Sequence, residues 1–184
     1  MSNTGVITTR LEEWSEGNKE ALDALMPLVY EDLRSIARQQ LSRLRPNQTL
    51  NTTALVNESY AKLQAGNSLD LEDRNHFFAV AACAMRQIIV DEARSLMADK
   101  RTGIKVDLDQ IPQSIEEHTE QILFVDQLLG RLEQINADLV RLIECRFYAG
   151  YTHEETAKIL GISLRTAQRR WQQANAWLHE LASI

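Results

Sequence analysis

Cysteine, proline and glycine are scarce in this chain of 184 residues, which has two, three and seven of them. Two cysteines cannot staple a small disulfide scaffold, and so little proline and glycine excludes a collagen-like or linker-like chain. Cys83 and Cys145 lie far apart, each in an apolar helical pattern, which predicts buried reduced thiols rather than a bridge or a metal pair. No segment approaches the ~18 uninterrupted apolar residues of a membrane span. The opening MSNTGVITTRLEEWSEGNKE lacks the basic start and apolar run of a secretory signal, so the expected location is cytoplasmic. Positive charge is in deficit, with 20 basic against 26 acidic residues and a net charge of −6. The deficit is spread along the chain: residues 1–97 carry 10 basic and 13 acidic groups, 98–118 carry 3 and 5, and 119–184 carry 7 and 8. Such a chain does not coat nucleic acid by bulk electrostatics, so any DNA binding requires a local patch.

Strand signals are also missing, whereas helical periodicity runs almost throughout. Leu22, Leu25, Val29, Leu33, Ile36, Leu41 and Leu44 follow three-or-four spacing and predict a long helix over about 19–44, preceded by a shorter one over about 6–16 that ends at Gly17. Thr52 or Thr53 is placed to cap a helix carrying Leu55, Val56, Tyr60 and Leu63. The polar stretch 66–75 reads as a loop, and Phe77 to Val90, apolar almost all round, reads as a central helix packed on several sides. Periodicity fades over 98–118, which contains Gly103 and Pro112 and is the expected linker. Beyond it, Ile122, Val125, Leu128, Leu129 and Leu132 mark one helix, while Leu139, Leu142, Ile143 and Phe147 mark another that Gly150 closes. The fold class is therefore all-α, with two small helical domains over 1–97 and 119–184.

The most informative stretch is Tyr151 to Leu181, which has the layout of a helix-turn-helix. Thr152 can cap a short helix, Gly161 permits a turn, Ile162 plugs the core and Ser163 caps the second helix. Leu164, Ala167, Trp171, Ala174, Leu178 and Leu181 form an inward stripe, which predicts Trp171 as core. The opposite face presents Arg165, Thr166, Gln168, Arg169, Arg170, Gln172 and Gln173. A charged helix face is usually only solvated. Here three Arg and three Gln stand between 164 and 173 without Asp or Glu, in a chain acidic elsewhere, which favours DNA. Arg and Gln make bidentate contacts to guanine and adenine edges in the major groove.

With TLNTTALVNESYAKL (49–63), HFFAVAACAMRQIIVDEAR (76–94) and this helix-turn-helix in order, the chain resembles the small extracytoplasmic-function sigma factors of bacterial RNA polymerase. It departs from their common pattern at Asn57, at Thr53-Ala54 and at Val80-Ala81-Ala82, as a divergent subgroup would. The resemblance implies core RNA polymerase and promoter DNA as partners, and admits an anti-sigma factor. It places Asn57, Glu58 and Lys62 at the polymerase clamp. Arg74, Asn75 and His76 fall in a base-capturing loop and Arg86 and Gln87 on the DNA-facing side of the central helix; these and Arg94 serve the −10 element, and Arg94, Lys100 and Arg101 meet phosphates. Ser163, Arg165, Thr166, Gln168, Arg169, Arg170 and Gln173 fall at the −35 element.

No enzyme is expected. His153-Glu154-Glu155 lacks the second His that a zinc-protease motif needs, since Ala157 stands there, and neither a phosphate loop nor a nucleophile elbow is present. No cofactor, metal, small-molecule substrate or membrane is implied. Two other classes stay open: a stand-alone helix-turn-helix regulator that binds duplex DNA without polymerase, and a helical adaptor that binds only protein. The linker is expected to be flexible, and its 21 residues span at most ~70 Å at ~3.3 Å per residue, enough to engage two promoter elements at once. Limited proteolysis of the free chain is expected to cut first near Lys100, Arg101 or Lys105, leaving two resistant helical fragments; initial cleavage within Phe77 to Val90 would contradict the two-domain reading.

Overall fold

The structure is a computed structural model that describes residues 3–44, 50–65, 73–102 and 113–182. Among these residues there are helices and no strand. In chain order they are α1 (Asn3–Ser15), α2 (Lys19–Leu44), α3 (Thr52–Ala65), α4 (Arg74–Thr102), α5 (Gln113–Ile143), a π-helical turn (Glu144–Tyr148), α6 (His153–Ile159) and α7 (Leu164–Ala182).

Local chemistry sets most of the boundaries. Asn18 caps α2 by accepting from the Glu20 amide at 3.1 Å. Asn51, rather than Thr52 or Thr53, caps α3 by accepting from the Ala54 amide at 2.9 Å, and both threonines are already helical. Asp73 does the same for α4 through the His76 amide at 2.8 Å, so Arg74 and Asn75 open a helix instead of sitting in a loop. The two helices expected after the linker are joined as α5, and the break between them is a kink at Asn136 (φ −159°, ψ 92°), whose side chain accepts from the Leu139 amide at 3.3 Å.

The first four helices enclose one core. Ile7, Leu11 and Trp14 come from α1, Leu22, Leu25, Val29 and Leu33 from α2, Leu55 and Val56 from α3, and Phe77, Met85 and Ile89 from α4, all buried. As the apolar run predicts, α4 is the central helix. Phe77 is fully buried, with edge contacts to Trp14 and Phe78 at ring separations of 6.4 and 5.3 Å. A second core joins Leu129, Leu132, Leu139, Val140 and Ile143 of α5 to Tyr148 and Ala174. The two cores share a boundary: Ile122 of α5 is buried in the first, and Ala82 of α4 in the second.

Two further details depart from the sequence reading. Phe147 was expected inward, yet it is 39% exposed while Tyr148 is buried. The π-helical turn, closed by the Ala149 amide on the Glu144 carbonyl at 3.0 Å, adds one residue to the turn and moves the inward register on by one. Of the expected linker, residues 98–102 continue α4 and 113–118 begin α5, while 103–112 lie outside the described residues. Lys100 and Arg101 thus lie within α4, where a protease must first unwind the helix, and Lys105 lies outside the described residues. Replacing Phe77 by Ala should cost ~3–5 kcal/mol, a large share of the ~5–15 kcal/mol that holds a domain together, and urea unfolding monitored by helical circular dichroism checks it.

Candidate nucleic-acid interface

The helix-turn-helix is held by the groups its sequence provides. Thr152 forms a full capping box with Glu155: its hydroxyl accepts from the Glu155 amide at 3.2 Å, and the Glu155 carboxylate accepts from the Thr152 amide at 2.8 Å. That is the structural role of one of the paired glutamates. Gly161 makes the turn at φ +62°, a left-handed conformation that side chains disfavour. Ser163 then caps α7, accepting from the Thr166 amide at 3.1 Å. Leu142, Ala157 and Ala167 close the small core between α6 and α7, with Leu160 and Ile162 packed beside it.

On α7, Arg165, Gln168, Arg169, Gln172 and Gln173 are exposed, opposite the fully buried Ala167 and Ala174. Thr166 is half-buried beside the Ser163 cap. Arg170 turns back to α5, where its Nη2 pairs with Asp138 at 3.1 Å. Three members of the expected apolar stripe differ among the described residues, Leu178 being half-buried, and the Leu181 side chain lies outside them. Leu164 is 39% exposed, outside the core clusters, and Trp171 is only half-buried. Trp171 packs between the second core and the small one, with the Arg146 guanidinium 5.1 Å from its ring centroid and the His153 ring edge-on at 6.2 Å. Arg146 also donates to the Tyr151 carbonyl at 2.7 Å, so the π-helical turn, the α6 start and α7 are clasped around one indole. Burial and then Arg146 push the His153 pKa down, which suits a neutral ring in this clasp.

The polymerase-contact candidates Asn57, Glu58 and Lys62 share the exposed face of α3, with Lys62 Nζ 3.6 Å from Asp91. The −10 candidates divide. Arg74, Asn75 and His76 form the half-exposed first turn of α4; Arg74 pairs with Asp32 at 2.6 Å and lies over the Phe78 ring. Gln87 is exposed and opens into a cleft of about 660 Å³ that Lys62, His76 and Arg141 also line. Arg86 is turned inward, its side chain 12% exposed, and pairs with Asp126 at 2.7 Å and Glu144 at 3.2 Å. Arg94 is exposed and pairs with Asp91 at 3.3 Å and Asp126 at 2.8 Å. The side chains of Lys100 and Arg101 lie outside the described residues. Ala81 and Ala82 are fully buried, so small side chains there serve packing.

Sequence reasoning passed over Gln40, Asp126, Glu144 and Arg146. Gln40 left a signal: it continues the inward register of Leu33 and Ala37, and a polar residue on an apolar stripe needs a buried partner. It is buried, and its Nε2 donates to the carbonyls of Ala82 and Tyr148 at 2.9 and 3.2 Å. Among the described residues no group of three His, Cys, Asp or Glu side chains is arranged to hold a metal.

The model of the ECF sigma factor family matches residues 4–183. The chain belongs to that family. A solved structure described as CnrH in complex with the cytosolic domain of CnrY is similar at 18% identity and a TM-score of 0.40, covering 95% of this chain and 96% of that one. A likeness this low carries no argument, and the assignment rests on the family model. A search of curated proteins finds no significant match. As an ECF sigma factor the chain belongs to a non-catalytic class of DNA-binding proteins that serve transcription initiation. No helix among its described residues is long and apolar enough to cross a membrane.

Of the two thiols of this sigma factor, Cys145 is buried as expected, whereas Cys83 is half-buried beside the cleft that Gln87 lines. Burial, then the Glu144 carboxylate, pushes both Cys83 and Cys145 up to about 12, and the Cys83 Sγ donates to Glu144 at 3.0 Å. Since the thiolate is the reactive form, alkylation at pH 8 should run roughly a hundredfold slower in the native chain than in denaturant. Mass spectrometry of timed iodoacetamide reactions checks it, and equal rates would refute the burial.

Proposed function

We propose that this ECF sigma factor binds core RNA polymerase and directs it to promoters by reading a −35 and a −10 element. In this reading residues 1–97 form the unit for polymerase and the −10 element, 98–118 link it, and 119–184 form the −35 unit. The observation that carries the reading is the α7 face: Arg165, Gln168 and Arg169 are exposed along one side of a helix fixed by Ala167 and Ala174, and follow a capped N-terminus. This suits a helix laid in a major groove, with Arg and Gln reaching base edges and the Ser163–Thr166 end near phosphate. Thr166 and Gln173 flank the readers, and Arg170, held by Asp138, positions α7 more than it reads. Asn57, Glu58 and Lys62 form the polymerase contact, while Arg74, Asn75, His76, Arg86, Gln87 and Arg94 serve the −10 strand. Control by an anti-sigma factor belongs to the same proposal.

Transcription from promoter templates by purified core polymerase, with and without the chain, tests it. Alanine at Arg165, Gln168 or Arg169 should cost ~1–3 kcal/mol and relax selectivity at one promoter position, whereas loss of a phosphate contact weakens all promoters alike. Intact selectivity after all three changes would sink the docking. With a net charge of −6 the free chain should bind promoter duplex weakly at physiological salt and the holoenzyme well. Tight specific binding by the chain alone would favour the stand-alone regulator, and binding to protein only would favour the adaptor.

A further inference from the structure

Among the described members of the α7 stripe, Leu164 alone joins no core. It is 39% exposed, whereas Ala167 and Ala174 are buried and Trp171 and Leu178 pack beside the cores. Its place in the helix accounts for this. Leu164 is the first residue of α7, directly after the Ser163 cap. Helical side chains lean toward the N-terminus, so this one reaches past the capped end, where no earlier turn of α7 lies beneath it. At about 100° per residue, Gln168 stands only about 40° around the axis from Leu164. Arg165 follows directly, and both neighbours are exposed. A lone surface leucine is ordinary. One in the opening turn of a recognition helix lies where such helices meet base edges.

Major-groove edges carry one apolar group, the C5 methyl of thymine. Arg and Gln match the hydrogen-bonding edges of guanine and adenine, and neither reads a methyl. Thr166, the other residue of this turn with a methyl to offer, is half-buried and bonded at the Ser163 cap. We propose that Leu164 is a specificity-determining residue that packs on a thymine methyl of the −35 element. The proposal rests on the −35 reading of α7 given above. The contact takes two apolar surfaces out of water together and leaves no polar group of the leucine unpaired. It also separates thymine from cytosine, which has no methyl, a distinction that the Arg and Gln side chains do not supply by that route.

Holoenzyme assembled from core polymerase and the full-length chain tests it. Duplexes selected by the holoenzyme from a library randomised over the −35 element are rebuilt with each thymine, on either strand, replaced in turn by uracil, which pairs identically and lacks only the methyl. Wild-type holoenzyme should lose about fourfold in affinity at one position, the worth of one buried methyl group. Leu164→Ala, which keeps the helix because Ala is the strongest helix former, should lose less than about 1.5-fold on the same exchange, as a coupled pair requires. Leu164→Met, apolar and close in volume, should restore at least about twofold sensitivity. Thr166→Ser, which keeps the capping hydroxyl and removes the methyl, should leave the fourfold loss in place. Should Leu164→Ala lose its helical circular dichroism, Leu164→Gln is read by the same criteria. Binding insensitive to every exchange, sensitivity that survives Leu164→Ala, or sensitivity abolished by Thr166→Ser overturns the proposal. Equal weakening of all duplexes by Leu164→Ala, with the thymine-to-uracil ratio kept, assigns the leucine to packing or to polymerase and overturns it too. Transcription by wild-type holoenzyme separates the two levels: promoter-dependent transcripts without the coupling reject the leucine contact alone, whereas their absence rejects the sigma reading and the contact with it.

Discussion

A buried guanidinium cannot stay unpaired, and the placement of Arg86 at the centre of α4 makes that constraint organise the molecule. Its side chain is 12% exposed, where a lone charge would be costly, so carboxylates must be brought to it. They come from α5 and from the π-helical turn, which ties α4 to the C-terminal half by charge as well as by packing. A buried ion pair adds little net stability over apolar residues of similar size, but it tolerates only one geometry. The boundary is therefore specific without being a continuous apolar core.

The π-helical turn follows from the same arrangement. By adding a residue after α5 it turns Tyr148 inward, under the Arg86 guanidinium and within reach of Gln40, and leaves Phe147 at the surface. Glu144, its first residue, faces Arg86 and Cys83 together. Gly150 follows at φ +78°, and a Cβ there would stand 2.6 Å from Gln39 Oε1 on α2. The chain thus passes close to α2 before α6 begins, and the helix-turn-helix is hung from this junction by Arg146 and Trp171.

The exposed faces of α7 and α4 consequently differ in state. The α7 face is open, Arg165, Gln168 and Arg169 exposed on a helix whose other side is fixed by two buried alanines. The α4 face is engaged, its arginines held by acids of the same chain. One chain carries both, because the acidic residues that give it a net negative charge are placed to meet its inward arginines.

Most of the secondary structure was legible in the sequence because it rests on local causes. The three-or-four spacing of Leu22 through Leu33, the apolar run of Phe77 to Val90, and the Thr152, Gly161 and Ser163 signals act within a few residues, and the structure contains the helices and the turn they announce. The exposed Arg and Gln face of α7 was legible for the same reason, since a helix with one apolar side must show the other. Caps at Asn51 and Asp73 were missed because several polar residues compete at each helix start and only the final geometry selects one. The state of Arg86 and Arg94 was not legible at all. Apart from Asp91, three positions from Arg94, their partners lie between 32 and 58 positions along the chain, and no periodicity links residues so far apart; burial chose those pairings, and burial exists only once the helices have packed.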